Sequence, residues 1–496
     1  MIVFLICVGI LTLLIYKYYQ KSFQYWEKKG VPTIKPSIPF GNLGSIFGGP
    51  GFILHMKGIY EEFKSQGVHY AGLYTGAKPA LLAVHPEAVK TVMNKDFQSF
   101  HSHGVEYDAK EEPLQAHLFN LDGKQWKDMR VKLTPTFTSG KMKMMFQTLL
   151  DCGQQLEDFV EKCNEKNVAL DIKEVIACFT TDVIGSCAFG LKCNSFKNAD
   201  AQFRKYGRKV FTPSLRFVFR RLLSAASPRL MKLFKLKFIQ EDVSEFFIGV
   251  IRDMLNYRKT EKITRNDFLQ ILINMQETLK SEGKKPFTLE ELAAQAFVFF
   301  IAGFETSSTT VTFALYELVH NQEVQDKLRE EIRRIIKKHD GKITYDGIME
   351  MKYLDQVINE TLRKYPPVHF LPRKCTQNYK LPNGAEVEKG TKVFISVMGL
   401  HRDEEYFPNP DKFDPDRFSD ENKHNIVPYS YIPFGEGPRI CIGLRFGVMQ
   451  AKVGICLLLR NYKLYPHPSV KYPIEFDNKS AVLAGKDTLL LMTERV

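Results

Sequence analysis

The segment at 434–443, Phe-Gly-Glu-Gly-Pro-Arg-Ile-Cys-Ile-Gly, is the feature that most constrains this chain. Cys441 lies two residues after Arg439, and an apolar recurrence typical of a buried helix begins after Gly443. A cysteine at a helix N-terminus is favoured as the thiolate, because the helix dipole and unpaired backbone amides stabilise negative charge. Gly437 and Gly443 leave room where the backbone turns and a flat group could approach. Considered alone, a structural cysteine on a tight turn would be the simpler interpretation.

A long helix is predicted from the capping-box pattern at 288–291 to about His320, roughly 32 residues and about 48 Å in length. Its middle opposes helix formation, with Gly303 and then a run of serine and threonine at 306–310. Hydroxyls in such a run can bond the carbonyl four residues back and bend the helix. Glu305 places a charge within an apolar stretch, which is costly without a purpose. Local conflicts of this kind often mark functional sites, although a solvated polar kink would also explain them.

Two pairs of side chains at helical spacing are further candidates. Glu360 and Arg363 are three residues apart on a helix predicted at 345–365, before a pair of prolines. Trp126 and Arg130 are four residues apart and share a helix face. Considered alone, the first is most simply a surface ion pair that stabilises little, and the second an exposed cation–aromatic pair.

Composition limits the classes of function. The chain has 496 residues and a formal net charge of +13, which favours an anionic membrane surface or an acidic partner protein. Nucleic acid is not favoured as a partner, because the sequence has no run of five Lys or Arg and no nucleic-acid motif. The nine cysteines form no CxxC pair, which is typical of reduced thiols in a cytosol-facing protein. The sequence also lacks motifs for flavin, nicotinamide, phosphate or zinc, so electrons for a redox reaction must come from elsewhere.

The amino-terminal segment is predicted to be an uncleaved membrane anchor. Residues 2–16 are apolar apart from Thr12, and lysines and an interfacial aromatic cluster follow them. A cleaved signal peptide is the main alternative, but the basic residues lie after the apolar run and no small-residue cleavage site follows it. The position of the lysines places the amino terminus in the lumen and the rest of the chain in the cytosol.

Three regions are predicted along the chain: a signal-anchor helix at 1–20, a basic, proline-rich hinge at 21–49, and one catalytic domain at 50–496. Prolines resist helix, so the hinge is either a linker or a spacer that orients the domain against the membrane. Basic and aromatic residues at 204–240 indicate either a membrane-docking surface or a core-facing hairpin with a solvated basic face.

The catalytic domain is predicted to be mainly α-helical. Strand-like pieces lie near 69–86, 378–397 and 470–495, which indicates small β-sheets. The chain shows no internal repeat and no low-complexity tract. Scattered Gly and Pro give no reason to divide this region into independently folding units.

Together these patterns resemble the haem-thiolate monooxygenases, the cytochromes P-450. The resemblance covers the whole chain and rests on motifs in the expected order: Ala302-Gly-Phe-Glu-Thr306, Glu360-Thr-Leu-Arg363, Pro410-Asp-Lys-Phe-Asp-Pro-Asp-Arg-Phe418 and the cysteine loop at 434–443. It implies the prism-shaped fold of that family, mainly α with small β-sheets and an N-terminal membrane anchor helix. The motifs are most similar to those of the microsomal animal clan of insect detoxification and vertebrate 3A enzymes, with the insect side preferred.

The resemblance also implies roles for individual residues. Cys441 would be the proximal ligand of the iron of haem b. Glu305 and Thr306 would be the acid–alcohol pair that relays protons on the oxygen side. A buried structural triad that supports the cysteine loop would consist of Glu360, Arg363 and Arg417. The cofactor-binding residues, with the arginines and Trp126 meeting the haem propionates, would be Trp126, Arg130, Ala302, Gly303, Arg373, Phe434, Arg439, Cys441 and Gly443.

The implied reaction inserts one atom of O₂ into a lipophilic substrate, such as a xenobiotic, plant toxin or insecticide, and the other atom leaves as water. NADPH would be used indirectly, through the membrane-bound NADPH–cytochrome P-450 reductase, with cytochrome b5 as a second candidate partner. Lys127 and Arg445 are candidate docking cations for an acidic partner. The enzyme would lie on the endoplasmic reticulum membrane, held by its single anchor, with the catalytic domain facing the cytosol.

Substrate recognition should come from apolar side chains on the oxygen side, although residues at helical spacing are as often plain core. The candidates are Phe100, Val105, Phe119, Phe297, Phe300, Ile301, Phe304, Val368, Phe370, Val482 and Leu483. One alternative is a dedicated hormone or fatty-acid hydroxylase with a narrow pocket. Another is a haem-thiolate binding protein or isomerase, which the intact Glu305–Thr306 pair disfavours.

Overall fold

Helices make up most of the molecule. The computed structural model describes residues 1–42, 51–198, 202–211, 237–477, 480 and 482–496. Its α-helices are α1 (Ile2–Ser22), α2 (Tyr25–Lys28), α3 (Gly51–Ser65), α4 (Pro86–Lys90), α5 (Phe97–Phe100), α6 (Gly123–Leu133), α7 (Ser139–Glu165), α8 (Ile172–Ile184), α9 (Gln202–Phe211), α10 (Glu241–Thr260), α11 (Phe268–Ser281), α12 (Leu289–His320), α13 (Gln322–Lys338), α14 (Tyr345–Glu350), α15 (Lys352–Lys364), α16 (Val397–His401) and α17 (Leu444–Leu459). Short 3₁₀ or π turns lie at Thr91–Lys95, Pro113–Gln115, Thr134–Phe137, Gly185–Phe189, Pro415–Phe418, Lys423–Asn425 and Gly437–Arg439.

Short strands form small sheets beside the helices. They are β1 (Tyr70–Thr75), β2 (Lys78–Ala83), β3 (Leu170–Asp171), β4 (Phe370–Lys374), β5 (Tyr379–Lys380), β6 (Glu386–Val387), β7 (Lys392–Ser396), β8 (Tyr462–Pro466) and β9 (Leu490–Arg495). The largest sheet has the order β1-β2-β7-β4, in which β2 and β7 are parallel and the other pairs antiparallel. The remaining strands pair as β3-β9-β8 and β5-β6. The predicted mainly α fold with small sheets is therefore confirmed.

Some strands lie outside the stretches that the sequence pattern indicated. β3, β4 and β8 fall within the region expected to be helical. Each pairs with a strand that is distant in sequence, β4 with β7 and both β3 and β8 with β9. Strand formation depends strongly on such partners, so these segments carry little local signal of their own.

The long helix α12 runs through the centre of the main hydrophobic core and packs against α8, α10, α15 and α17. It begins with the predicted capping box, in which Thr288 and Glu291 bond each other's backbone N–H groups at 3.2 and 2.9 Å. The hydroxyls of Thr306 and Thr310 donate to the carbonyls four residues back at 2.5 and 2.9 Å, as predicted. These bonds do not break the helix, which continues to His320.

The helix predicted at 345–365 is in fact the two helices α14 and α15, separated at Met351. Glu331 of α13 accepts two backbone N–H groups in the first turn of α15, at 2.9 and 3.0 Å. These groups have no partner within the helix itself. Lys452 of α17 donates to the carbonyl of Met351 at 3.3 Å. Partners far away in sequence therefore stabilise the break, and the local pattern does not reveal it.

The amino-terminal helix α1 buries none of its residues, and α2 follows it closely. The span Ile2–Lys28 is long and apolar enough to cross a membrane, and its best window is 0% buried. The core helix α12 passes the same test of length and hydropathy, but 61% of its window is buried. Trp26 is fully buried, and its indole N–H donates to the carbonyl of Leu73 in β1 at 3.0 Å. The apolar helix is thus attached to the largest sheet of the molecule by a buried side chain.

The predicted hinge at 21–49 is described as far as residue 42, and residues 43–49 lie outside the described residues. The non-helical stretch from 31 to 42 bridges to the sheet, with Thr33 opposite Gly72 and Gly41 opposite Thr75. This stretch is therefore bound to the domain along β1.

The basic segment at 204–240 is described only at its two ends, and residues 212–236 lie outside the described part of the chain. Within α9, Arg204 and Arg208 pair with the carboxylate of Glu174 on α8, Arg204 at 2.7 Å. Arg204 is buried, so this cation faces the protein and not a membrane surface.

Candidate active site

The cysteine loop closes on itself before α17 begins. The N–H of Cys441 donates to the carbonyl of Phe434 at 2.9 Å and holds the two ends of the loop together. Gly437 has a φ of +70°, and a side chain there would also meet the carbonyl oxygen of Met93. Gly443 immediately precedes α17. The loop therefore presents the Cys441 sulfur just ahead of a helix N-terminus.

From the exposed surface of Cys441 and its dense protein surroundings we infer that its sulfur lies in a recess of the protein. The residue is exposed by surface area, yet protein surrounds the thiol closely enough for burial to raise its pKa. The Gly443 N–H and the Arg130 cation lower that pKa, in the direction expected for a helix N-terminus, but burial outweighs them. The sulfur is thus open to a ligand within the recess. A cation bound there would favour the thiolate form.

Helix α12 crosses α17 beside this loop. The rings of Phe299 and Phe446 lie 5.7 Å apart. On the next turns, a Cβ placed at Gly447 would lie 3.8 Å from the hydroxyl oxygen of Ser307. Ala302 lies between these two contacts and is exposed, although the helix is mostly buried. We infer that the recess above Cys441 extends to Ala302.

Gly303 has a packing role that sequence reasoning did not anticipate. A Cβ at this position would lie 2.4 Å from the Cδ1 atom of Ile184 on α8. The glycine therefore permits α8 to pack closely against α12. The expectation that Gly303 serves the cofactor face stays a prediction.

Glu305 and Thr306 have different hydrogen-bond partners in this structure. A carboxylate oxygen of Glu305 lies 2.6 Å from Lys173 Nζ on α8, and the two side chains are 15% and 33% exposed. Lys173 also donates to the hydroxyl of Thr309 at 3.2 Å. The hydroxyl of Thr306 donates to the carbonyl of Ala302 at 2.5 Å. The structure therefore brings the carboxylate to a lysine on a neighbouring helix and turns the threonine hydroxyl back along its own helix.

Arg439 joins the cysteine loop to the loop at 101–122 between α5 and α6. Its guanidinium donates to backbone carbonyls of that loop, most closely to Leu121 at 2.7 Å, and lies 3.3 Å from Asp122 Oδ1. It also stacks over the ring of Trp126 at 4.2 Å. Burial lowers the pKa of Arg439 to about 9, and the Asp122 carboxylate opposes that shift.

Arg373, Arg439 and Arg130 form a cationic cluster near Cys441. Arg373 is buried on β4, where its Nη1 donates to the carbonyl of Pro372 at 2.8 Å and its Nε has no partner among the described residues. Burial lowers the pKa of Arg373 to about 10. Arg373 and Arg130 each lower the pKa of Arg439 by repulsion, so the cations lie close together.

This cluster fits the carboxylates of a haem. Buried guanidinium groups are costly without anionic partners, and Asp122 is the carboxylate paired with Arg439 within the described chain. The planar fork of an arginine matches a carboxylate well. An accessible thiol and neighbouring arginines are therefore the two donor sets that an iron porphyrin with propionates requires.

The three residues of the predicted structural triad lie together, with Glu360 and Arg363 buried and Arg417 half-buried. Arg363 makes a bidentate pair with Glu360 at 2.7 and 2.8 Å, and both side chains are fully buried. Arg417 Nε lies 3.6 Å from the same carboxylate, and the N–H of Asp414 donates to it at 2.8 Å. Arg363 also donates to the carbonyl of His401 at 2.9 Å. The pair therefore binds α15 to the segments that follow α16.

His401 extends this network to the cysteine loop. Its Nδ1 bonds the carbonyl of Leu362 at 3.2 Å, and its Nε2 accepts the N–H of Ile432 at 2.8 Å, two residues before Phe434. Burial and the Arg363 cation lower the pKa of His401 to about 3. The imidazole is therefore neutral and carries its proton on Nδ1.

His401 should make the fold sensitive to acid. Its pKa of about 3 in the folded state lies below the unfolded value of 6.5, so the unfolded state takes up the proton first. The stability that neutral His401 contributes is therefore fully present above about pH 6.5. It is lost as the pH falls toward the pKa of His401 in the folded state. We expect the free energy of unfolding to fall by about 1.4 kcal/mol per pH unit in that window because of this residue. Denaturant titrations at several pH values measure how steeply the free energy of unfolding depends on pH. His401→Gln should reduce this slope, and His424→Gln, a change at an exposed residue, should not. Equal slopes for the unmutated protein and both variants would contradict the assignment.

The predicted pocket residues fall into two groups. Phe119 and Val368 are 46% and 40% exposed, and Val105, Ile301 and Phe370 are half-buried. These five have surface that a ligand could contact.

The other candidates are buried against the protein, and they are Phe100, Phe297, Phe300, Phe304, Val482 and Leu483. The phenylalanines of α12 pack into an aromatic cluster with α9 and α10, where Phe300 lies 5.5 Å from Phe203. Phe100 packs on Tyr379 at 4.8 Å, in the separate core below the largest sheet. The N–H of Leu483 donates to the carbonyl of Pro367 at 3.2 Å, which brings the C-terminal segment beside Val368.

Sequence reasoning missed several residues of this site. Lys173 carries no local signal, because its partner Glu305 is 132 residues away. Asp122 and His103 lie in an irregular loop, where burial and, after it, repulsion by Arg373 and Arg439 hold the pKa of His103 well below its ordinary value. Gln295 could have been found, because it is an amide within the otherwise apolar run at 292–302.

Comparison with known proteins agrees with these residues. The family model described as cytochrome P-450 matches residues 36–492. The probable cytochrome P-450 6a20 of Drosophila melanogaster is 40% identical over 500 residues, with 100% of both chains covered. Cytochrome P-450 6k1 of Blattella germanica is 40% identical, with 97% of this chain and 94% of the relative covered. Cytochrome P-450 6A1 of Musca domestica is 38% identical, with 99% and 98% covered. All three relatives come from insects, as the motifs indicated, and the chain belongs to the cytochrome P-450 family of haem-thiolate monooxygenases.

Proposed function

We propose that this protein holds haem b on Cys441 and oxidises small lipophilic molecules, xenobiotics among them, with electrons from an NADPH-dependent reductase. The observation that carries the proposal is the cationic cluster beside an accessible thiol. Arg373 is buried, its Nε has no hydrogen-bond partner among the described residues, and its charge repels that of Arg439. When bound, the haem supplies the iron chemistry that activates O₂. Arg130, Arg373, Arg439 and Trp126 would hold its carboxylates, and Cys441 would ligate its iron.

Glu305 and Thr306 are proposed to handle protons on the α12 side of the recess. The Glu305 carboxylate is 15% exposed and pairs with Lys173, whose side chain is 33% exposed and reaches solvent. The carboxylate can therefore exchange protons with water at the Lys173 end. Thr306 follows Glu305 directly, and its hydroxyl would pass a proton into the recess after leaving the Ala302 carbonyl.

The redox partner is proposed to be NADPH–cytochrome P-450 reductase, with cytochrome b5 as a second partner. The surface around the cysteine loop supports an acidic partner, because Lys127 on α6 and Arg445 on α17 are both exposed. Val131, also on α6, is 65% exposed and adds an apolar contact to this basic surface. Opposite charges of this kind steer encounter and fix orientation.

The location is proposed to be the endoplasmic reticulum membrane, with the catalytic domain in the cytosol. The unburied apolar helix α1 supports an anchor, and the lysines that follow it support a cytosolic domain. The regions 1–20, 21–49 and 50–496 keep their proposed roles as anchor, hinge and catalytic domain.

Broad substrate use is proposed because the accessible candidate pocket residues Val105, Phe119, Ile301, Val368 and Phe370 are all apolar. A pocket of this kind selects by size and shape, and adding or removing one methylene changes binding by only about 1–3 kcal/mol. The insect relatives are consistent with xenobiotics, plant toxins or insecticides as substrates.

Turnover of a mixed lipophilic library by the full-length protein, reconstituted with reductase and NADPH, tests this proposal. We expect many products at comparable rates, whereas a single efficiently used hormone or fatty acid would favour a dedicated hydroxylase.

Thr306→Ala serves as the mechanistic control. It should lower the product formed per NADPH by about tenfold and raise peroxide, since a positioned proton donor typically contributes 10²–10⁴-fold. Unchanged coupling in Thr306→Ala would exclude the proton role and leave the substrate result standing.

A further inference from the structure

We propose that Gln295 is a positioning residue for substrate specificity, because it fixes the backbone that presents Phe119. This inference rests on the proposed function, since it concerns the same pocket. Gln295 lies on the second turn of α12, and it is 2% exposed. Its side chain does not contact the recess residues Cys441 or Thr306 through any hydrogen bond in the described chain, so its effect would pass through the loop at 101–122.

The Gln295 amide pairs with this loop in both directions. Its Oε1 accepts the N–H of Leu118 at 3.0 Å, and its Nε2 donates to the carbonyl of Ala116 at 3.1 Å. A side chain here takes the place of a neighbouring strand for two backbone groups. Because all four groups are buried or part-buried, losing the amide would leave a backbone donor and acceptor unpaired.

The other side of the same segment is bound independently. Arg439 donates to the carbonyl of Leu121 at 2.7 Å, and the Asn120 amide donates to the carbonyl of Gln115 at 3.1 Å. Residues 116–121 therefore lie between α12 and the cysteine loop. Gln295 provides the attachment to α12, and Arg439 provides the attachment to the cysteine loop.

Phe119 is the side chain that this arrangement presents. Leu118 and Asn120 on either side are 8% and 6% exposed, whereas Phe119 is 46% exposed. The ring of His103 stacks on Phe119 at 4.2 Å, and His103 Nδ1 bonds the Phe119 carbonyl at 2.8 Å. An apolar ring held on a fixed backbone discriminates ligands by shape, and the same ring on a loose loop does not.

The chain contains a matched control in Gln325. This buried glutamine on α13 also pairs in both directions with backbone, accepting the N–H of Leu464 at 2.8 Å and donating to the carbonyl of the same residue at 3.0 Å. It binds β8, far from the loop at 101–122. A purely structural role predicts the same consequences for Gln295→Met and Gln325→Met.

Hydrogen exchange of the haem-loaded, full-length protein tests the attachment. We expect Gln295→Met to speed exchange of the Leu118 amide by about tenfold or more, since two hydrogen bonds of about 1 kcal/mol each are lost. Gln325→Met should speed exchange in β8 instead. Gln295→Glu keeps the acceptor for Leu118 but loses the donor to the Ala116 carbonyl, so it should speed exchange at 113–121 by less than Gln295→Met does. It provides a second variant if the methionine protein does not fold. Unchanged exchange at 113–121 in both Gln295 variants would overturn the proposal.

Ligand selectivity tests the consequence. Dissociation constants are measured by equilibrium dialysis for a series of lipophilic ligands of increasing size. In Gln295→Met the ratio between large and small ligands should change by about tenfold, and Phe119→Ala on that background should add little. Gln325→Met should leave the ratio unchanged. Faster exchange of the Leu118 amide with an unchanged ratio of dissociation constants would show that Gln295 has a structural role only, which overturns the specificity proposal. If the unmutated protein bound no lipophilic ligand, the proposed function would be overturned and the exchange result would still stand.

Discussion

Replacing Cys441 by serine should abolish the characteristic Soret shift of the reduced carbon-monoxide complex and bring oxygenation down to background. A thiolate donates electron density to iron in a way that an alcohol does not, and this donation assists cleavage of the O–O bond. The Arg373, Arg439 and Trp126 side chains remain in place, so the variant should still bind haem, although more weakly. The measurement is the difference spectrum of reduced protein with and without carbon monoxide, together with the ratio of haem to protein.

The control for this experiment is Cys456→Ala. Cys456 is fully buried on α17, the helix that follows Cys441, and it belongs to the main core. It should keep the spectral shift and lose only stability through the small cavity that it creates. A Cys441→Ser protein that retained the shift would show that another group ligates the iron.

Breaking the Glu360–Arg363 pair should cost more than any surface substitution. Arg363→Met leaves the Glu360 carboxylate fully buried with Arg417 Nε at 3.6 Å and the Asp414 N–H at 2.8 Å as its remaining partners. Removing one member of a buried pair typically costs 3–5 kcal/mol. Because α15 and the segment before the cysteine loop are joined through this pair, haem should be lost along with stability. Denaturant unfolding and the haem content of the purified protein measure the two effects.

The double variant Glu360→Leu/Arg363→Met distinguishes the cost of a stranded buried charge from the cost of losing the contacts of the pair. Removing both charges leaves no stranded ion, so the double variant should be less destabilised than the sum of the two single ones. Lys338→Met provides a surface reference, since Lys338 pairs with Glu350 at 2.7 Å and the two side chains are 61% and 39% exposed. Such surface pairs contribute about 0–1 kcal/mol. A cost for Arg363→Met as small as that of Lys338→Met would refute the structural role of the triad.

The parts of this molecule that were predictable from sequence have local causes. The capping box at Thr288 and Glu291 specifies its own hydrogen bonds within one turn. Glu360 and Arg363 share a helix face by their spacing alone, although spacing could not show that the pair is buried. The family motifs then bring Arg417 to this pair from 54 residues further on. The resemblance to a known family therefore supplied a contact between distant residues that the local sequence pattern could not show.

The parts that escaped prediction depend on partners distant in sequence. Lys173 reaches Glu305 because α8 packs against α12, and nothing in the residues around Lys173 indicates a partner. The break at Met351 depends on Glu331 and Lys452, which lie on two other helices. The buried phenylalanines of α12 face an aromatic cluster because α9 and α10 supply matching rings. Helical spacing identifies an apolar face but does not say whether a ligand or another helix covers it.

Trp26 makes the orientation of the apolar helix matter to the enzyme as a whole. The hydroxyls of Tyr19 and Ser22 and the indole of Trp26 bond the carbonyls of Pro39, Ala77 and Leu73 at three successive turns of chain. The apolar helix proposed as an anchor is therefore joined to the rest of the molecule by hydrogen bonds at three positions. A bilayer that changes the tilt of a short apolar helix, as membranes of different thickness do, would rotate the domain with it. Lipid thickness would in this way set the orientation of the domain relative to the membrane.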